Sequence, residues 1–430
     1  MGSIGTVSCA SPGNCSGGGD IGQPGLSYAS VADEQRGVWG HPAKVEGLPD
    51  PQGAYIQADT LSVSCASPGN CSAGGVYGVG YSSGAFVVSE KQGRWGPAER
   101  ITGLPDLDAS GNAEIESVSC GSPGNCSAGG YYDTSSTQQA FIVTERHGIW
   151  GAAEPVTGLA QLNTGGRAVI ESVSCPSARN CSAGGYYSTK TVLQAFVVTE
   201  KHGTWGTARH LPSPVNGGGS AIDAVSCAWP GNCSAAGYYN TSSGQQAFVA
   251  SQKHGRWAAA EPVPGLAALN KGGGAEIYAL SCASPGNCSA GGFYSTSVTF
   301  SAAFVVAESH GTWGTAEPVS APASISDSGY GEVVSLSCAS PGNCSAVGSY
   351  GYWKAAQPFV VTEEHGSWGQ ALQAPGAPAG IAGFGSISCA APGDCSAVGG
   401  YSSAYYEPSY ALVASQKHGT WGHAQILTNP

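Results

Sequence analysis

Charge is scarce in this chain, with Lys, Arg, Asp and Glu together supplying 10% of 430 residues. Met1 is the sole methionine, and the stronger helix formers are thinly spread. An architecture of long amphipathic helices is thereby excluded. Basic residues number 16 against 28 acids, a net charge of −12 with the histidines neutral. That balance lacks the positive footprint of a nucleic-acid binder and fits a protein kept soluble by its acidity outside a cell. No apolar run approaches the roughly 20 residues that span a bilayer, so membrane insertion is not expected. No apolar leader opens the chain, and residues 1–430 are expected to be the mature part of an exported protein. A Gly-x-Ser-x-Gly elbow, a His-Glu-x-x-His run and a P-loop are also missing, so no familiar catalytic signature stands out.

Glycine (67 residues) and cysteine (16) are plentiful, beside many Val, Tyr, Thr and Ser residues. This is the composition of short strands joined by tight turns. The cysteines form eight Cys-x5-Cys pairs: Cys9/Cys15, Cys65/Cys71, Cys120/Cys126, Cys175/Cys181, Cys227/Cys233, Cys282/Cys288, Cys338/Cys344 and Cys389/Cys395. Zinc sites prefer closer spacing and a second pair nearby, which no repeat supplies. An even count with a turn between partners predicts eight disulfides and hence an oxidising compartment. Each bridge is expected to act locally, holding its own hairpin against fraying.

Eight tryptophans, from Trp39 to Trp421, recur every 52 to 56 residues in step with the cysteine pairs. A repeat of this period is the signature of a repeat architecture. In the third repeat the pattern predicts strand a over Ile115–Cys120, b over Cys126–Tyr132, c over Gln139–Glu145 and d over Ile149–Val156. Ser-Pro-Gly-Asn between a and b, and Arg-His-Gly between c and d, are turn signals. Counting by twos along strand a puts Val118 and Cys120 on one face, and Ile115, Ser117 and Ser119 on the other. Four antiparallel strands repeated eight times predict an all-β fold, an eight-bladed β-propeller with one disulfide hairpin per blade. The expected blades of this single domain are 1–50, 51–105, 106–160, 161–214, 215–268, 269–322, 323–376 and 377–430. The recurrent Trp is expected to pack between blades.

The run Thr199-Glu-Lys-His-Gly-Thr-Trp205 resembles the Asp-box hairpin of sialidase-like propellers, Ser/Thr-x-Asp-x-Gly-x-Thr-Trp, with the Asp missing and the Gly-to-Trp gap one residue shorter. The repeat as a whole is similar to those of exported bacterial β-propeller proteins. Trp-Gly at the start of strand d is also similar to chromosome-condensation-regulator and lectin propellers. The resemblance implies the architecture and carries no catalytic residue across, since the sialidase Arg triad has no counterpart among the few scattered arginines.

Comparing the eight copies with one another separates uniform turns (a-to-b and c-to-d) from connections that vary in length and chemistry (b-to-c and d-to-a). Variable loops on a rigid frame are where binding would be grafted. Three features belong to that side. Carboxylates gather at the entry to strand a: Asp59, Glu114, Glu116, Glu171, Asp223, Glu276 and Glu332. Aromatics end strand b, among them Tyr131, Tyr132, Tyr186, Tyr187, Tyr238 and Tyr239, which either stack on sugar rings or pack between blades. Finally, Asp106-x-Asp108-x-Ser110-Gly111-x-x-Glu114 has oxygen spacing suited to calcium, the one cofactor the sequence suggests. The turn histidines His147, His202, His254, His310, His365 and His418 read as solvent-facing. The expected function is an extracellular binding module for a glycan or other cell-surface polymer. The alternatives are a glycoside hydrolase or polysaccharide lyase using the rim carboxylates, and a non-catalytic protein-interaction scaffold.

Overall fold

A computed structural model of the chain describes residues 2–23, 26–49, 56–79, 82–104, 112–322, 329–352, 355–404, 407 and 409–428. The chain divides into two compact units, one ending at Leu211 and the other running from Pro212 to Thr428. Each unit holds four repeats built alike. The protein is all-β, made of eight β-propeller blades, each stapled by one disulfide hairpin. In the third blade, strand a is Ala113–Ser122, b is Asn125–Asp133 and c is Gln138–Arg146. They pair a-b-c antiparallel, and Cys120 lies directly opposite Cys126. Blades one and two are additionally joined by a short parallel pairing of Leu26 with Ile56 and Ser27 with Gln57.

Strand d departs from expectation. It is two dipeptides, Ile149–Trp150 and Glu154–Pro155, both paired with strand c. The reason is a detour between them. The Ala153 N–H leaves its own blade and donates to the Thr102 carbonyl of the preceding one at 2.9 Å. The same bond recurs as Ala98 to Glu46, Ala208 to Thr157, Ala316 to Pro264 and Ala424 to Pro375.

Strand a also breaks its expected alternation. A bulge between Ile115 and Ser117 leaves Glu116 as an extra residue, so Ile115 and Val118 share a face. Both press on Gly74 of the preceding blade, where a Cβ would stand 2.7 Å from Ile115 and 3.0 Å from Val118. Only glycine permits that approach. Ser117 and Ser119 face the next blade instead, and their hydroxyls accept the N–H groups of Val173 and Cys175 at 3.0 and 2.9 Å. The ladder repeats in the second unit, with Ser226 taking Cys282, Ser281 taking Cys338 and Ser337 taking Cys389. Alternate serines thus knit strand a of one blade to strand a of the next, a more specific role than small size.

Between blades, one phenylalanine of strand c is fully buried in six copies: Phe86, Phe141, Phe196, Phe248, Phe304 and Phe359. Tryptophan caps the same layer. The Trp150 indole N–H donates to Ser89 and that of Trp205 to Thr144, each a residue of the preceding blade. The recurrent Trp therefore packs between blades.

All eight expected bridges form: Cys9–Cys15, Cys65–Cys71, Cys120–Cys126, Cys175–Cys181, Cys227–Cys233, Cys282–Cys288, Cys338–Cys344 and Cys389–Cys395. Their expected role, a staple confined to its own hairpin, needs correction. The second cysteine of every pair is buried: Cys15, Cys71, Cys126, Cys181, Cys233, Cys288, Cys344 and Cys395. Cys126 belongs to the layer around Phe141 and Cys181 to the layer around Phe196. The Cys71 sulfur lies 3.4 Å from the Ser16 hydroxyl of the preceding blade, and Cys181 and Cys288 meet Ser127 and Ser234 at 3.6 and 3.5 Å. The physical reason is the pleat. Strand b turns this sulfur toward the neighbouring blade, so each bridge also fills an inter-blade layer.

At the turn end, the c-to-d connection has two successive left-handed residues, His147 at φ 50° and Gly148 at φ 78°, as a two-residue hairpin of primed type requires. Asn125 ties this turn to the a-to-b turn. Its amide donates to Ser122 and Pro123, and its oxygen accepts the His147 N–H. The histidines at these turns are exposed. The Asn of this hairpin, replaced by Asp394 in the eighth blade, is thus accounted for by geometry.

Candidate functional site

The bulge in strand a is what builds the candidate site. One extra residue per blade is turned out of the ladder, a device that re-aims a side chain. By register, that residue is Gly5, Leu61, Glu116 and Glu171 in the first unit, and Asp223, Tyr278, Val334 and Gly385 in the second. The carboxylates grouped together in the sequence thus fall into two positions. Glu116, Glu171 and Asp223 occupy bulges, whereas Asp59, Glu114, Glu276 and Glu332 pair across from strand b. All seven are half-buried.

In the first unit these groups act on one another. Glu114 lies opposite Tyr131, whose hydroxyl donates to its Oε2 at 2.9 Å. Burial, with the Glu114 and Glu171 carboxylates nearby, pushes the Glu116 carboxyl up to about 8. Burial and the neighbouring Asp20 raise Asp59 to about 6. Glu114 is raised by burial, against the Tyr131 hydrogen bond that lowers it. The Arg167 guanidinium stands 5.4 Å from the centre of the Tyr186 ring. Burial and the Glu171 charge hold the Tyr186 hydroxyl above its ordinary range. At neutral pH the Glu116 carboxyl keeps its proton and can donate, beside two further carboxyl groups and two phenols.

The second unit carries its own version. Burial raises Glu276, against hydrogen bonds with Asp223 and Gln245 that lower it. The Gln245 amide donates to Glu276 Oε2 at 3.3 Å. Tyr278, at the bulge, is 37% exposed and lies tilted against Phe293, ring centres 5.6 Å apart. Burial also raises Glu332, which pairs with Ser349.

The tyrosine pairs divide by register. Tyr131 and Tyr238 are half-buried on the side of the acids, while Tyr132 and Tyr239 are buried. Tyr132 belongs to the layer around Phe141, and Tyr187 to the layer around Phe196. Tyr186 is buried too, with its ring under Arg167. Of the calcium loop, Asp106, Asp108 and Ser110 lie outside the described residues, and Glu114 is engaged by Tyr131. Among the described residues, the tightest groups of potential metal-ligating side chains are Cys9, Cys15 and Glu34, and Cys338, Cys344 and Glu363. Their cysteines are bonded to one another and offer no thiolate.

Sequence reasoning missed three things. Tyr278 and Arg167 were passed over; aligning Tyr278 with Glu116 and Glu171 would have found the first. An acid at the end of strand c is buried between blades: Glu90, Glu145, Glu200, Glu308 and Glu363. Glu145 accepts from Ser72 and Ser89 of the preceding blade. Where Asp33 replaces that serine, burial and the second carboxylate drive Glu90 up to about 7. Finally, two like-built cavities of about 380 and 290 Å3 lie at the turn end, one holding His254 and His310, the other His365 and His418.

No protein-family model matches the chain, and no curated protein matches it either. Solved structures do. A GH74 xyloglucanase from Xanthomonas campestris is 14% identical at a TM-score of 0.45, covering 98% of this chain and 67% of its own. Sqt1 from Chaetomium thermophilum, bound to the N-terminus of ribosomal protein L10, is 11% identical at 0.49, covering 93% and 94%. A subtype N11 neuraminidase-like protein of a flat-faced bat strain from Peru is 12% identical at 0.42, covering 100% and 99%. Likenesses so distant say nothing of ligand or chemistry. Among the described residues no helix is long and apolar enough to cross a membrane.

Proposed function

We propose that the protein is an extracellular glycan-binding β-propeller module whose sites are the acid and tyrosine clusters of strand a. The observation that carries this reading is the grouping of Glu114, Glu116 and Glu171 with Tyr131 and Tyr186 on adjoining blades. Sugar hydroxyls both donate and accept, and so does a cluster in which the Glu116 carboxyl keeps its proton beside two further carboxyl groups and two phenols. Tyrosine adds an apolar ring with a polar tip. Eight disulfides support an oxidising compartment. The test is a glycan array of the oxidised protein, with and without calcium, followed by Glu116→Gln. Saturable binding to a related set of sugars that weakens about tenfold in the variant supports the reading. A blank array in both conditions overturns it.

A second reading has one observation in its favour. A carboxyl held neutral at about 8 beside ionisable carboxylates is the arrangement a general acid needs, as in glycoside hydrolysis. Under that reading Glu116 is the acid, Glu171 the partner, and Glu116→Gln abolishes polysaccharide cleavage outright while leaving binding intact.

A further inference from the structure

We propose that a cavity at the strand-d edge, between the third and fourth blades of the first unit, is a separate binding site for a neutral saccharide residue. The cavity holds about 500 Å3, within the roughly 300–1,000 Å3 range of small-molecule sites. It does not rest on the acid and tyrosine cluster, which lies at the strand-a side of the blades. Its walls are of two kinds. Ile142, Val198 and the Trp205 indole give an apolar surface; Thr144, Arg146 and Glu154 give a polar one.

Each polar group is placed by the fold. Trp205 is half-buried against the core, and its N–H donates to Thr144 Oγ1 at 3.4 Å, which fixes the ring plane. One amino group of Arg146 donates to the Gly203 carbonyl at 2.6 Å. A guanidinium has five N–H donors, so the rest of the fork is left for a ligand. Buried Glu200 lies beneath, paired in register with Trp205, and Arg146 acts on its charge. Glu154 sits on the short strand opposite Ile142, with its side chain exposed. Arginine stands in this place in the third repeat alone. The other repeats carry Gln35, Lys91, Lys201, Lys253, Ser309, Glu364 and Lys417. Lys91 makes the same bond to the next blade, from Nζ to the Gly148 carbonyl. A simple strap between blades therefore does not require the planar fork of arginine.

The combination selects the ligand class. A sugar ring has an apolar face of C–H groups and an edge of hydroxyls, matching an indole with aliphatic neighbours on one side and a donor fork with a carboxylate acceptor on the other. One cation and one anion line the cavity, so the site asks for no net charge on its ligand.

The experiment is calorimetric titration of the intact oxidised protein with maltotriose, lactose and mannotriose, repeated on Arg146→Met, Glu154→Gln and Glu116→Gln. Both rim side chains are exposed, and unchanged melting temperatures will check that the fold is kept. At least one sugar should bind, about tenfold more weakly in each rim variant, as expected for loss of a hydrogen bond to a charged group. Lys91→Met, titrated alongside, breaks the same strap one blade earlier and should leave that binding alone. No binding by the three sugars, or wild-type affinity in both rim variants, overturns the inference. Binding that weakens only in Glu116→Gln overturns it as well, while favouring the strand-a site.

Discussion

At the turn end of a blade every polar group has a fixed duty, and eight copies of the sequence hardly vary. At the bulge end one position carries Gly5, Leu61, Glu116, Glu171, Asp223, Tyr278, Val334 and Gly385 in turn. The difference follows from what each end must satisfy. Two hairpin turns meet at the turn end, where the Gly148 N–H donates to the Gly124 carbonyl at 2.8 Å and Asn125 spans both turns. Backbone groups brought together in this way accept few side chains. A bulge leaves its extra residue out of the ladder, so its side chain is free to differ. The turn end is therefore uniform and the bulge end variable.

The largest effect should come from disturbing the turn end. Gly124 has φ +68°, and a Cβ there would stand 2.8 Å from the Gly148 nitrogen. Gly124→Ala should therefore destabilise the protein by about 2 kcal/mol, the cost of a left-handed residue with a Cβ. The fourth blade bounds that figure. Arg179 occupies the same place at φ 63°, and the Gly203 N–H still reaches its carbonyl at 2.9 Å. Its guanidinium also stitches the His202 carbonyl at 2.8 Å, a compensation that alanine lacks. Chemical denaturation under oxidising conditions measures the difference. A loss below about 0.5 kcal/mol would mean that stability does not account for the uniform turn end.

A second, intermediate effect is set by pH. Asp59, Glu90 and Glu116 have folded pKa values near 6, 7 and 8, raised mainly by burial. A carboxyl whose folded pKa is raised binds its proton more tightly in the native state. Its contribution to stability is complete below its ordinary value near 4 and is lost as pH rises through the folded value. The melting temperature should thus fall as pH rises from about 4 to 8, with the last part of the fall belonging to Glu116. Glu116→Gln should flatten the curve between about pH 7 and 8, and Glu90→Gln should lessen its slope up to about pH 7. A melting temperature that climbs across this window would show that these acids ionise freely in the folded protein.

The repeat, the disulfide partners and the first three strands were legible because their causes are local. Cys-x5-Cys with Ser-Pro-Gly-Asn between can close only one hairpin, and the structure pairs Cys120 directly with Cys126. What was not legible depends on a neighbouring blade. The pairing of Cys65 with Cys71 could be read, but not the Ser16 hydroxyl that meets the Cys71 sulfur from 55 positions away. Counting by twos along strand a runs straight through the bulge at Glu116, because nothing in Ile-Glu-Ser-Val marks an extra residue. Strand d breaks because Ala153 bonds to Thr102, a partner 51 positions earlier. Nothing beside the glutamate that ends strand c announces the serines of the preceding blade that close over it. Of the candidate site, the residue types were readable. Which carboxylates sit on bulges, and which tyrosine of each pair faces them, was decided by register.

The smallest expected effect is the sharpest check on the contrast between the two ends. Gly5 is the first unit's empty bulge: a Cβ built there meets nothing within 4 Å, and its φ is not in the left-handed range. Glycine in a strand costs roughly 0.5–1 kcal/mol relative to alanine through the unfolded chain, so Gly5→Ala should be neutral or stabilise by about 0.5 kcal/mol. Gly5 and Gly124 are both in the first unit, each in a hairpin closed by a disulfide. The two alanine variants therefore differ in which end of the blade they touch and in the backbone conformation there, left-handed at Gly124 and not at Gly5. Opposite signs in one denaturation experiment would establish that the bulge accepts side chains freely. If Gly5→Ala cost as much as Gly124→Ala, the acids at the other bulges would have to be there for packing, and their claim to be a binding surface would fall with that result.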